Sequence, residues 1–292
     1  MKIRNLLCLI LSVFLLAALL FGCAPGDTGS TPEPSTESPT EPTIEERKPM
    51  PENPRILFIG NSYTNDTMPI LFSGFARAAG YKVAVDTIVK GSHELTLFAD
   101  PNDTYGARVE MYLNKSNSYD VVVLQEKSIL TATEELPKFY TAVRNLHSRI
   151  TATGAQTVLY STWGRKTGSA ALPQYGLTNE TMTWKVAAAY QAMGEELNIP
   201  VAFVGLAFYD VYTGDSGIEI YNDDKTHPSY AGNFLSAATL FAEIFQIDPT
   251  TVNFNGTLTA QEAAVLKEAA RKAVFETPEI PAEYKTSSEG IG

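Results

Sequence analysis

"RILFIGNSYTND", residues 55–66, decides how the rest of the chain is read. Four apolar residues, Ile56-Leu57-Phe58-Ile59, end at Gly60, and Asn61 and Ser62 follow before the chain turns polar. Gly, Asn and Ser are ordinary turn residues, so a strand-to-helix turn accounts for the pattern. The same pattern also displays a serine hydroxyl at the carboxyl end of a buried strand. The two readings separate on whether the chain supplies partners for that serine.

Downstream of this stretch, short apolar runs alternate with segments of helical period. Strands are expected over 55–60, 82–89, 120–125, 157–162 and 201–205, and helices near 67–79, 105–117, 133–150, 180–197, 230–246 and 260–275. "DVVVLQ" (120–125) and "VAFVG" (201–205) are apolar on both alternating faces, as central parallel strands covered on both sides are. Within 133–150, Leu136, Phe139, Tyr140, Val143, Leu146 and Ile150 fall at the three- and four-residue spacings of one apolar stripe. Thr259 to Glu262 has the capping-box pattern that opens a helix. Strand and helix alternating five times predict an α/β fold, a three-layer α/β/α sandwich around a five-stranded parallel sheet. In such folds the functional crevice lies outside the carboxyl ends of the strands, which is where Ser62 falls.

Upstream, Lys2 and Arg4 precede an almost wholly apolar run over 5–21, and Leu20-Phe21-Gly22-Cys23 closes it. That is the form of a secretory signal over residues 1–22. Its last four residues resemble a bacterial lipobox, which makes Cys23 the lipid-modified first residue of the mature chain. The other reading is an uncleaved membrane anchor, since about 17 apolar residues nearly span a bilayer. Both readings put the domain at a bacterial cell membrane, on its extracytoplasmic side. Residues 24–54 are rich in Pro, Ser, Thr and Glu and nearly devoid of apolar residues, so 23–54 reads as a tether that does not fold. The folded domain is expected over 55–276, with 277–292 as a C-terminal tail.

The chain has two cysteines, Cys8 and Cys23, so the exported domain depends on its core and not on disulfides. Formal net charge is −11, and −13 once Lys2 and Arg4 are removed. A chain this acidic, without Lys/Arg clusters, is a poor partner for nucleic acid. Three scattered histidines and no usable cysteine pair give no metal-ligand cluster, and no cofactor is expected.

A serine hydroxyl needs an adjacent base, and the base needs a third group that fixes its tautomer. His147 lies in the 133–150 helix beside the apolar stripe, where packing accounts for it, and His93 follows the second strand. His227, in "YNDDKTHPSYAGNFLSA", stands at a helix start with Asp224 three residues before it and Pro228 after it. A capped helix start, with both side chains bonded to backbone, explains that segment equally well.

Taken together, "FIGNSYT", a lone glycine after the second strand and "DDKTHPSYAGNFLSA" resemble the SGNH (GDSL-like) hydrolase superfamily over residues 55–246. The resemblance implies a flavodoxin-like architecture with Ser62 as nucleophile, His227 as base and Asp224 as acid. Asp223 does not fit the D-x-x-H spacing. It also implies an oxyanion hole built from the N–H groups of Ser62 and Gly91 and an amide side chain. Gly91 is otherwise a plain turn glycine in "VKGSH". Two departures stand out. Asn61 replaces the usual aspartate, and "VVVLQEKS" replaces the usual G-x-N-D block, leaving Gln125 as the oxyanion amide or, with Glu126, as the polar exit of a strand.

The 163–179 loop offers Trp163 to stack on a sugar and Arg165 to meet an acidic substituent; alternatively Trp163 packs on a neighbouring helix. Asn61, Trp163 and Arg165 are the candidate substrate contacts. The resemblance and the membrane tether together imply a monomeric serine esterase removing acetyl or small acyl groups from glycans. A lipase, lysophospholipase or thioesterase, and an idle glycan-binding lipoprotein, are the alternatives.

Overall fold

The computed structural model describes residues 49–64, 67–114 and 119–289. The expected signal peptide, Cys23 and nearly all of the tether lie outside the described residues. Among the described residues, no helix is long and apolar enough to cross a membrane.

Five parallel strands form one sheet in the order β2-β1-β3-β4-β5: β1 (Arg55–Gly60), β2 (Ala84–Val89), β3 (Val121–Leu124), β4 (Gln156–Tyr160) and β5 (Val201–Ala202). Phe58 of β1 aligns with Thr87 of β2 and with Val123 of β3. Side-chain alternation builds two cores. Ile56, Phe58, Val121, Val123, Val158 and Tyr160 face one side, against α1 (Thr67–Ala78), α7 (Val204–Thr213), α8 (Tyr230–Phe245) and α9 (Ala260–Phe275). Leu57, Ile59, Val122, Leu124 and Leu159 face the other, against α2 (Leu95–Ala99), α3 (Thr104–Leu113), α4 (Leu136–Thr151) and α6 (Asn179–Leu197). A short α5 (Ala171–Gln174) lies between β4 and α6. This is the expected α/β/α sandwich, and helices on both faces explain why β3 is apolar on both of its own.

"VAFVG" was expected as a five-residue central strand and is instead a two-residue edge strand. The reason is a close crossing. The Gly205 N–H donates to the Ser161 oxygen, and a Cβ at Gly205 would come within 2.0 Å of the Thr162 oxygen. The chain turns there into α7, whose Val204, Leu206, Ala207 and Phe208 bury the apolar character. Residues 277–289 also depart from the tail expected of them. Ile280 is buried against Ala187, Ala188 and Leu206, and Arg144 donates to the Ser288 oxygen at 2.7 Å. They strap the domain.

Candidate active site

β1 must end in glycine because its exit is crowded. A Cβ at Gly60 would lie 2.5 Å from Gln125 Oε1 and 2.7 Å from Thr64 Oγ1. The turn that follows is closed by the Thr64 N–H on the Asn61 oxygen at 2.9 Å, and it holds Ser62 partly exposed at the strand's carboxyl end.

Ser62 meets its expected partners there. His227 Nε2 is 2.9 Å from Ser62 Oγ, and His227 Nδ1 is 2.5 Å from Asp224 Oδ2. An imidazole carrying its proton on Nδ1 donates to Asp224 and accepts from the serine hydroxyl, so one tautomer satisfies both contacts. The second carboxylate oxygen of Asp224 accepts from the N–H groups of Thr226 and His227, each at 2.9 Å. Burial opposes ionisation of Asp224, but the His227 side chain and these backbone donors outweigh it and hold the carboxyl below its usual range. The loop is closed by Asn222 N–H on the His227 oxygen and by Lys225 N–H on the Asn222 oxygen. Lys225 adopts the left-handed region at φ 61°, and Ser229 then caps α8. The capped helix start and the triad geometry coexist on one loop.

The loop after β2 stands against the serine turn. Lys90 N–H donates to the Gly60 oxygen, and Asn61 Nδ2 donates to the His93 oxygen at 3.3 Å. Gly91 is exposed in a turn closed by His93 N–H on the Lys90 oxygen, with Ser92 at φ 60°. Among the described residues, neither the Ser62 nor the Gly91 N–H has an acceptor. The other histidines stand apart: His93 contacts the α3 cap Asp103 at 3.0 Å, and His147 contacts Thr157 at 3.0 Å.

No protein-family model and no curated protein matches the chain. Solved structures do. A protein from Slackia heliotrinireducens assigned to the SGNH hydrolases is 29% identical, with a TM-score of 0.57, over 66% of this chain and 99% of that one. In fold and in sequence the chain is similar to SGNH hydrolases. A DUF4886 family protein from Bacteroides uniformis has the same fold, with a TM-score of 0.67 at 17% identity, over 78% of this chain and 97% of that one. So does a catalytic mutant of an acetylxylan esterase from Geobacillus stearothermophilus, with a TM-score of 0.50 at 15% identity, over 65% and 94%.

Several site residues expected from the sequence have other surroundings than expected. Gln125 is fully buried beneath the serine turn. Its side-chain oxygen accepts from the Asn61 N–H at 2.8 Å and the Thr64 hydroxyl at 3.0 Å, and its amide nitrogen donates to the Glu126 oxygen. It braces the turn from below, and it is not the open oxyanion donor that its place after β3 suggests. Asn61, expected to touch substrate, is 4% exposed and engaged at both ends of its amide, by the His93 oxygen and the Tyr63 N–H. Trp163, expected to stack on a sugar, is fully buried between Tyr63 at 4.4 Å and Phe208 at 4.1 Å. Its indole N–H donates to the Thr226 oxygen at 3.1 Å, directly before His227. The start of the 163–179 loop is pinned rather than free: Gly164 oxygen accepts from Tyr221 and Asn179, and Lys166 N–H donates to the Lys225 oxygen.

Two further residues, Tyr63 and Glu126, were given no role in the site by the sequence. Tyr63 places its ring edge-on to His227 at 5.6 Å while stacking on Trp163. Glu126 is fully buried at the end of β3, and burial pushes its carboxyl up to about 8 despite bonds from the Lys127 and Leu95 N–H groups. A polar pair directly after an apolar strand was the available signal. A cavity of about 850 Å³ is lined by Lys127, Leu130, Glu135, Tyr175 and Tyr284, and it includes neither Ser62 nor His227. Ser62, His227 and Asp224 lie outside it, and the His227 and Asp224 side chains are 39% and 49% exposed.

Proposed function

We propose that the protein is a serine ester hydrolase of SGNH type that removes acetyl or similarly small acyl groups from glycans. The observation that carries this reading is His227, bonded at once to Ser62 and to Asp224. In the reaction His227 takes the Ser62 proton, and the hydroxyl oxygen attacks the ester carbonyl. The Ser62 and Gly91 N–H groups, unpaired among the described residues, receive the negative charge that develops on the carbonyl oxygen. His227 then protonates the departing alcohol, and water repeats the cycle on the acyl-enzyme. Asp224 orients the imidazole and stabilises its charged form.

An open site suits an alcohol as large as a polysaccharide, and an acetylxylan esterase is among the proteins of the same fold. The lipobox-like ending at Cys23 supports a lipid anchor that presents the domain outside the cell membrane. For that anchor, Cys23→Ala releases the domain to the medium or leaves an unprocessed precursor; retention at the mature size speaks against it. For the chemistry, the full-length protein is expected to turn over p-nitrophenyl acetate and to be labelled at Ser62 by a fluorophosphonate. Absence of both would end the esterase reading.

A further inference from the structure

We infer that Arg165 forms an anion subsite beside Ser62, so that the preferred substrates are esters bearing a carboxylate near the scissile bond. The inference rests on the esterase reading for its chemistry. Its basis is an unneutralised cation. Four other arginines each face a carboxylate, Arg55 facing Asp86, Arg144 Glu196, Arg149 Glu110 and Arg271 Glu268, while Arg108 lies over the Tyr105 ring. Arg165 is partly buried, forms no ion pair among the described residues, and has a buried Nε with no hydrogen-bond partner there. Holding a charge in that state is unfavourable unless a counter-charge arrives.

Three of the protein's acids are engaged elsewhere. Asp224 is taken by His227 and two backbone N–H groups, Glu126 by the Lys127 and Leu95 N–H groups, and Glu219 by Lys166. The neighbouring cations are neutralised too, with Lys127 on Glu94 and Lys166 on Glu219. In a chain of net charge −11, a partly buried guanidinium with no ion pair among the described residues, beside the tyrosine that follows Ser62, is a specific feature.

Its position is set from both ends. The backbone oxygen of Arg165 accepts from Asn179 at 3.0 Å, and its guanidinium reaches the Tyr63 hydroxyl, which Ser128 also contacts at 3.4 Å. Tyr63 follows Ser62 in the chain and sets its ring against His227. One tyrosine side chain therefore separates the guanidinium from the nucleophile, a span that an aromatic or sugar ring covers. A planar guanidinium also matches a carboxylate through paired hydrogen bonds.

The test compares 3- and 4-acetoxybenzoate with the corresponding neutral acetoxybenzamides, which share the acyl group and differ in charge on the alcohol. The wild-type ratio of kcat/KM, carboxylate over amide, is expected to exceed unity by about tenfold or more, to shrink with added salt and to vanish in Arg165→Gln. Arg165→Lys should recover part of it. No wild-type preference, or a preference that survives Arg165→Gln, overturns the inference. A fall in rate equal for both esters also overturns it, since it would make Arg165 a general stabiliser. If neither ester is hydrolysed, p-nitrophenyl acetate turnover and fluorophosphonate labelling decide the esterase reading separately. Calorimetric binding of benzoate to Ser62→Ala and to Ser62→Ala/Arg165→Gln then decides the subsite alone: about tenfold weaker binding in the second supports it, and equal binding overturns it.

Discussion

The side-chain oxygen of Gln125 accepts the backbone N–H of Asn61 at 2.8 Å, so the residue directly after β3 holds up the turn that presents Ser62. Thr64 donates to the same oxygen, and no part of Gln125 is exposed. A brace and an oxyanion donor fail differently on truncation. Gln125→Ala strips the acceptor from two buried donors and should cost about 1–3 kcal/mol of stability. Loss of kcat should accompany a lowered Tm. A fall in kcat at unchanged Tm would instead return Gln125 to the oxyanion hole.

Ser62, His227 and Asp224 are expected to act as one unit. Ser62→Ala, His227→Ala and the double change should be almost equally inactive, each down by roughly 10⁴–10⁶-fold, because members of such a unit lose activity non-additively. Asp224→Ala should be milder, since Asp224 orients the ring without touching the ester. Wild-type turnover by Ser62→Ala would refute the mechanism.

Trp163 couples the two halves of the site, since Tyr63 stacks on the indole whose N–H holds the Thr226 oxygen. Trp163→Phe keeps the stack and deletes the hydrogen bond, which is worth about 1 kcal/mol. Small displacements of a catalytic group are costly, so kcat should drop roughly 10–10²-fold with KM nearly unchanged. Steady-state kinetics beside a thermal melt checks this, and a change confined to KM would contradict it.

Glu126 makes stability depend on pH. Burial raises its carboxyl from the ordinary glutamate value of 4.5 to about 8 in the folded protein. Between these values the folded state keeps a proton that the unfolded chain has lost, so stability is full below about 4.5 and falls as pH rises to about 8. Glu126→Gln removes the ionisation and retains an acceptor for the Leu95 and Lys127 N–H groups. Its Tm should vary less between pH 5 and pH 9 than that of the wild type, with each kcal/mol worth about 2–4 °C. Parallel Tm profiles would show that Glu126 does not titrate in this range.

Local pattern was enough to read much of this protein. Strand-ending glycine, D-x-x-H-P-S spacing and alternating apolar periods placed Ser62, Asp224 and His227 at sheet ends and loop starts, because strand polarity sends those positions to one edge. The His227–Asp224 contact is nearly local, closed within an Asx turn three residues long. What lay beyond the sequence was the direction in which long side chains turn. Gln125, Asn61 and Trp163 have the residue types of a donor and of substrate contacts, yet each is buried and bonded inward. The same limit applies to "VAFVG", whose apolar run serves an edge strand and the start of α7. Composition and spacing determine which groups reach the active end of the sheet. Only tertiary packing, through partners up to 165 residues away in the case of Ser62 and His227, decides whether a polar group there faces the ester or supports the groups that do.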